Sequence, residues 1–357
     1  MCLKNDNAIS LVIDTDNSFG MPVRELDDGI ALIISLVSKQ IDVKAIVASA
    51  CNCRAYEAAQ NTLYLLDQFG ISDIPVGLGA ETPLSGDREA HHQYLDAKSV
   101  SRERTYWRNA PDIPARDVSL LPSGADVLID AVRANPYEII VVVLGSFTNL
   151  ALALRKAPDI GPLIKEVVHM GGSFVPLDGE LAFEWDTADI PPEIWAATLR
   201  FNTWYDKQAT VEVLQAGGPV CFITANVTSH FYLRNNHMRK VRSAAKGALG
   251  QSLIRSIEPW LEWSIAERKL VGAHMHDPLT ILSLLEKSVC TYRYMSADIP
   301  SFLAGYELFP QDEGSLCKTA DYATLPKVKV AVNADTARAE ELLCDLLSRA
   351  VSLESNV

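Results

Sequence analysis

Short apolar runs alternate with stretches of helical spacing along most of the chain. ISLVIDTD (9–16), DVKAIVAS (42–49), IPVGLG (74–79), YEIIVVVLG (137–145), EVVHMGG (166–172) and PVCFITA (219–225) read as buried strands. Between them, 27–39, 54–69, 124–135, 147–157 and 203–217 carry helical patterns. Residues 236–268 and 277–287 also read as helical, and a late strand, KVKVAVN (327–333), leads to a last helix at 335–350. This alternation predicts an α/β fold, a mostly parallel central sheet flanked by helices on both faces. The pattern lapses at 80–122, rich in polar, Pro and His residues, and at 173–200, which holds two tryptophans and a Pro-Pro pair. Loops of this length inside a compact domain are usually functional or disordered. Both leave strand ends, and an α/β sheet forms its ligand crevice at the carboxyl ends of its strands.

Length alone admits roughly two domains, but the alternation runs on without an internal repeat or a low-complexity linker. We expect one domain over 1–357, with insertions at about 17–26 and 173–200. The net charge of −13, with no basic run, argues against a nucleic-acid surface. No apolar run reaches the ~18 residues of a membrane span, and MCLKNDNAIS has no signal-peptide core. The seven scattered cysteines suit free thiols in a reducing, cytoplasmic setting.

Chemistry concentrates in LVIDTDNSFGMPVRELDDGIALIISL (11–36). Asp14 and Asp16 stand two apart at a strand end, so both point to one face. Asp27 and Asp28 open the next helix, where the dipole favours negative charge. Capping explains one or two of these carboxylates. It leaves two more at the tip of an apolar strand, where like charges repel unless a proton or a cation intervenes. A hard divalent ion with oxygen ligands, Ca²⁺ or Mg²⁺, is the natural solution.

This segment resembles the N-terminal signature of the inosine-uridine-preferring nucleoside hydrolase family, DxDxGxDD after a strand. Both ends, DTD and LDDGIAL, are present. Ten residues, NSFGMPVREL, stand between Asp16 and Asp27 where the family usually has three, so the first loop is enlarged. Other family elements follow in order. AIVASACNCRAYEAAQNTLYLL (45–66) resembles the strand-loop-helix with a substrate-binding Asn, which falls on Asn52. VLGSFTNLALAL (143–154) resembles the TGPLTNLA segment, whose metal-binding backbone carbonyl falls on Leu144. HMGG (169–172) is the next landmark. FNTWYDKQA (201–209) resembles FNxxxDPEA, with the sugar-binding Asn at Asn202. AHMHDPLTI (273–281) resembles the HDP element and gives His276 and the metal ligand Asp277, while LPKVKVAVNADTARAEELL resembles the closing strand and helix.

The resemblance implies a Rossmann-like nucleoside hydrolase fold and hydrolysis of the N-glycosidic bond of ribonucleosides to ribose and free base. It implies Ca²⁺ held by Asp16, Asp28, Asp277 and the Leu144 carbonyl, with Asp16 as general base on a Ca²⁺-bound water and Asp14 fixing a ligand or water from behind. Asp27, Asn202 and Asp277 would hold the ribose hydroxyls, in a homodimer or homotetramer. His276 is the first candidate acid for the departing base. His91 and His92 lie where the family often has a His near the base, and a solvated turn is the alternative for either. Trp260 and Trp263, at i and i+3, share a helix face. Core packing and stacking on a base are both open for them. The family's contact to the 5′-hydroxyl, a Glu two residues before the sugar-binding Asn, is Arg200 here. Glu184 or another residue of the second insertion would replace it, or Arg200 would read a 5′-phosphate. Two rivals remain: a metal-binding nucleoside or ribosyl binder on the same fold without turnover, and a haloacid-dehalogenase-type phosphatase. The latter leaves Asn202 and the HDP element unexplained.

Overall fold

The structure, a computed structural model, describes residues 8–174, 201–304, 308–309 and 325–353. Its early elements are β1 (Ile9–Thr15), α1 (Asp27–Val37), β2 (Ile41–Ala48), α2 (Ala55–Gln68), β3 (Val76–Leu78), α3 (Glu89–Ser99), α4 (Gly124–Ala134), β4 (Ile140–Val143), α5 (Thr148–Lys156) and β5 (Glu166–Met170). After the second insertion come helices Phe201–Tyr205 and Lys207–Gln215, then β6 (Val220–Ile223), β7 (Tyr232–Leu233), β8 (Ala273–His274), β9 (Cys290–Ser296) and β10 (Lys327–Ala334) with their helices. The main sheet runs β3-β2-β1-β4-β5-β6-β10-β9. Its strands are parallel except β9, which runs antiparallel to β10 at the edge.

β1 shows why its sequence is apolar on both faces. Leu11 and Ile13 face the cluster under α1 and the helices Gly247–Ala266, His276–Leu285 and Thr336–Val351. Val12 faces the opposite cluster, under α4 and α5. A strand covered on both sides reads as a continuous hydrophobic run. From β1 the chain winds outward through β2 and β3, then returns to β4 on β1's other side. The carboxyl ends of β1 and β4 therefore flank the switch point of the sheet, where α/β folds open a crevice.

Four readings of the sequence change. The 80–122 region is not irregular throughout: it holds α3 and a 3-10 helix, Arg102–Asn109. The helix at 236–268 is two, Asn235–Ala244 and Gly247–Ala266, and that at 203–217 is also divided. At the second break Asp206 caps the new helix through Ala209 N–H (3.1 Å) and accepts the Thr148 hydroxyl (2.8 Å). β9 has no counterpart in the reading, because CTYRYMS is a largely solvated edge strand without an apolar run. Most of the second insertion, with Glu184 and Arg200, lies outside the described residues.

Candidate active site

Four segments converge where β1 and β4 end. Asp14 is in register with Val47 of β2 and Val143 of β4. Asp16 follows just past the strand, and its Oδ2 accepts the Asn52 N–H at 2.7 Å. Thr15, on the alternate face, donates its hydroxyl to Asp28 Oδ1 at 2.6 Å and so fastens the start of α1 to β1. The helix His276–Leu285 arrives from the far end of the chain, and its Asp277 N–H donates to Asp27 Oδ2 at 3.1 Å. The short β7–β8 ladder sets where that helix begins, with Met275 N–H bonded to the Phe231 carbonyl at 3.1 Å.

Ligand oxygens of Asp27, Asp28 and Asp277 all lie within 4.8 Å of one another, and all three residues are buried. Burial is the first cause that lifts each of the site's carboxyls. It raises Asp14 to about 7, with Ser49 and Asn149 drawing it back. It raises Asp16 to about 6, against the pull of the Asn52 N–H. Asp27, Asp28 and Asp277 are pushed well above the usual carboxylate range, by burial first. Neighbouring negative charge adds to it, from Glu25 on Asp27, from Asp16 on Asp28 and from Asp28 on Asp277. Asp16 Oδ1 and Asp28 Oδ2 are buried without a hydrogen-bond donor among the described residues. Crowded anionic oxygens with so few donors are neutralised by protons or by a hard cation. The donor set, all oxygen and all anionic, fits such an ion.

The remaining expected residues divide into two groups. The Leu144 carbonyl and Asn202 meet: the Asn202 amide donates to it and to the Met170 carbonyl, the latter at 3.0 Å. Gly145 lets β4 end this close, since a Cβ there would sit 2.7 Å from Asp16 Oδ1. Asn52 reaches the site through its main chain. His276 pairs its Nδ1 with the Thr228 hydroxyl (2.8 Å) and stacks on His274, and burial lowers its pKa. In the second group, His92 bonds Tyr205 Oη at 3.0 Å, and burial takes it down to about 4. Trp260 and Trp263 stack on each other at 4.8 Å, with the Trp107 ring tilted against both at 6.4 and 6.3 Å, and the Trp263 indole N–H donates to Glu103 at 2.7 Å. Arg268 lies 5.9 Å from both rings and pairs with Glu25 of the first loop at 3.6 Å. Sequence reasoning missed Thr15, Ser49, Asn149, Thr228, Arg24 and Glu25. Small polar residues at the ends of predicted strands are the one signal that marks Ser49 beforehand.

The family model for inosine-uridine preferring nucleoside hydrolases matches residues 11–341. A probable uridine nucleosidase of Arabidopsis thaliana is 26% identical over 339 residues, 94% of this chain and 97% of that protein. A pyrimidine-specific ribonucleoside hydrolase of Citrobacter koseri is 29% identical, over 74% of this chain and 78% of its own. Among solved structures, a plant nucleoside hydrolase superposes with a TM-score of 0.74 at 24% identity, covering 95% of this chain and 98% of that one. A purine-preferring ribonucleoside hydrolase from Gardnerella vaginalis gives 0.72 at 20% identity, covering 97% and 100%.

Proposed function

The chain belongs to the inosine-uridine preferring nucleoside hydrolase family and is a ribonucleoside hydrolase, and from that premise we propose how its residues cleave the N-glycosidic bond. Asp16, Asp28, Asp277 and the Leu144 carbonyl would hold a Ca²⁺ ion. When bound, that ion supplies the positive charge that acidifies and orients a water. Asp16 is the general base. The Asn52 N–H engages one of its oxygens and leaves Oδ1 for the proton. Asp14, beside Ser49 and Asn149, supports the strand end from behind.

Asp27, Asn202 and Asp277 hold the 2′- and 3′-hydroxyls of the ribose, which sets C1′ against the water. The Asn52 side chain contacts substrate at the same rim. His276 meets the departing base. It is the candidate acid for that base, with its Nδ1 paired to the Thr228 hydroxyl. His92, Trp260 and Trp263 would face the base; all three are buried, His92 against Tyr205 and the tryptophans beside Arg268. Glu184 of the second insertion is assigned the 5′-hydroxyl, with Arg200 as the alternative for a 5′-phosphate.

One observation carries this reading: buried carboxylates from the two ends of the chain meet, Asp277 against Asp27 and Asp28, beside Asp16. A reducing-sugar assay over uridine, cytidine, inosine and adenosine, with and without chelator, tests it. Uridine comes first because of what the matched relatives are named. Asp16→Asn should lower turnover about 10²–10⁴-fold, the usual worth of a general base, with an unchanged circular-dichroism spectrum. Undiminished turnover by that variant ends the assignment.

We further propose one domain over residues 1–357 and a homodimer or homotetramer, as the family resemblance implies. A cytoplasmic enzyme is consistent with five buried free cysteines among the described residues. No helix among those residues is long and apolar enough to cross a membrane.

A further inference from the structure

The enlarged first loop is tied down along its length. Asn17, Ser18, Phe19, Val23, Arg24 and Leu26 are all buried. Arg24 is the unusual member, a guanidinium whose side chain is only 1% exposed. Its three nitrogens reach two segments, α3 through Ser99 and Asp96 and the turn at Asn52. Nε donates to the Ser99 hydroxyl at 3.2 Å, one terminal nitrogen donates to the Asn52 carbonyl at 3.0 Å, and the other bonds Asp96. Glu57 of α2 stands 3.7 Å away. Ser99 in turn donates to the Pro22 carbonyl at 2.9 Å, closing the loop onto α3.

The Asn52 contact sets this guanidinium apart from an ordinary buried ion pair. Asn52 sits in a tight turn, with Cys51 N–H bonded to the Cys53 carbonyl at 3.0 Å. Its carbonyl is held by Arg24, and its N–H is the donor that holds Asp16 Oδ2 at 2.7 Å. We propose that Arg24 is a positioning residue for Asp16: the ten-residue loop exists to carry a fork-shaped cation that fixes the Asn52 turn and thereby the orientation of the base. A guanidinium suits the task because its planar fork is pre-organised to bind several acceptors at once. The inference rests on the assignment of Asp16 as general base.

The test is a double-mutant cycle with Arg24→Met, Asp16→Asn and the pair, read as kcat and KM on one ribonucleoside at saturating Ca²⁺, well below each variant's melting temperature. Arg24→Met should lower kcat about 10–100-fold, as losing the support behind a site ligand does, with KM changed by less than about 3-fold. In the Asp16→Asn background the same substitution should change the residual rate by less than about 2-fold, because groups acting as one unit are not additive. A merely structural arginine would lower both backgrounds alike, and that result overturns the proposal, as does wild-type kcat in Arg24→Met. If Arg24→Met fails to fold, Arg24→Lys completes the cycle. It keeps the charge opposite Asp96 and Glu57 but cannot span all three acceptors, so its loss of kcat should also vanish in the Asp16→Asn background. Full turnover by Asp16→Asn alone would instead refute the assignment of the base.

Discussion

At the scale of single residues, the site is a problem of charge. Burial pushes the Asp14 carboxyl up to about 7 and the Asp16 carboxyl up to about 6, from the usual 3.8. In metal-free protein the folded state then holds protons that the unfolded chain has released. Stability is fully present below about pH 4 and is lost as pH rises through about 6–7, by up to ~1.4 kcal/mol per pH unit for each proton. A bound cation removes the need for those protons. Ca²⁺ should therefore raise the melting temperature more at about pH 8 than at about pH 5, measured against a chelated sample. An equal rise at both would mean that Asp16 does not hold the ion. The carboxylates were legible in the sequence, since capping accounts for only half of them. The main-chain roles of Asn52 and Leu144 were not legible from the residues alone, because a peptide N–H or C=O carries no side-chain signature. Only the family resemblance marked those two positions.

At the scale of elements, α1 is governed by the loop that precedes it. Gly29 lies in its first turn, and a Cβ there would come 2.4 Å from Phe19 Cβ. In an exposed helix Gly→Ala gains about 1 kcal/mol. Here the clash outweighs the propensity, and Gly29→Ala should destabilise by about 1–3 kcal/mol in urea unfolding. Adding Phe19→Ala should return part of that loss. If Gly29→Ala proves stabilising, the loop is not seated on α1 as described. The strands and helices of the regular βα units were readable because burial on both faces leaves long apolar runs. α3 escaped notice because its pattern is mostly polar and only His92 is buried. The break near Lys246 depends on a partner distant in sequence, the Val351 carbonyl, which accepts the Lys246 N–H at 2.8 Å.

At the scale of the whole molecule, the site joins elements far apart in sequence. Asp277 N–H bonds Asp27 across 250 residues, and α1 packs beside the helix His276–Leu285. An ion there would link both ends of the fold, so binding should stabilise the whole chain, by about 2.7 kcal/mol at a hundred times Kd. Asp277→Asn should abolish most of the thermal shift with Ca²⁺ while keeping the circular-dichroism spectrum. A full shift in that variant would place the ion elsewhere. The sequence by itself determined the α/β class, the parallel strands and the carboxylates, because hydrophobic period and charge placement are local properties. Only the tertiary structure decided that Asp277 meets Asp27 and Asp28, that Trp107 packs tilted against the stacked Trp260 and Trp263, and that Arg24 grips Asn52. Those contacts depend on how the strands are ordered and the loops folded back, and proximity across a sheet leaves no periodic trace in the chain.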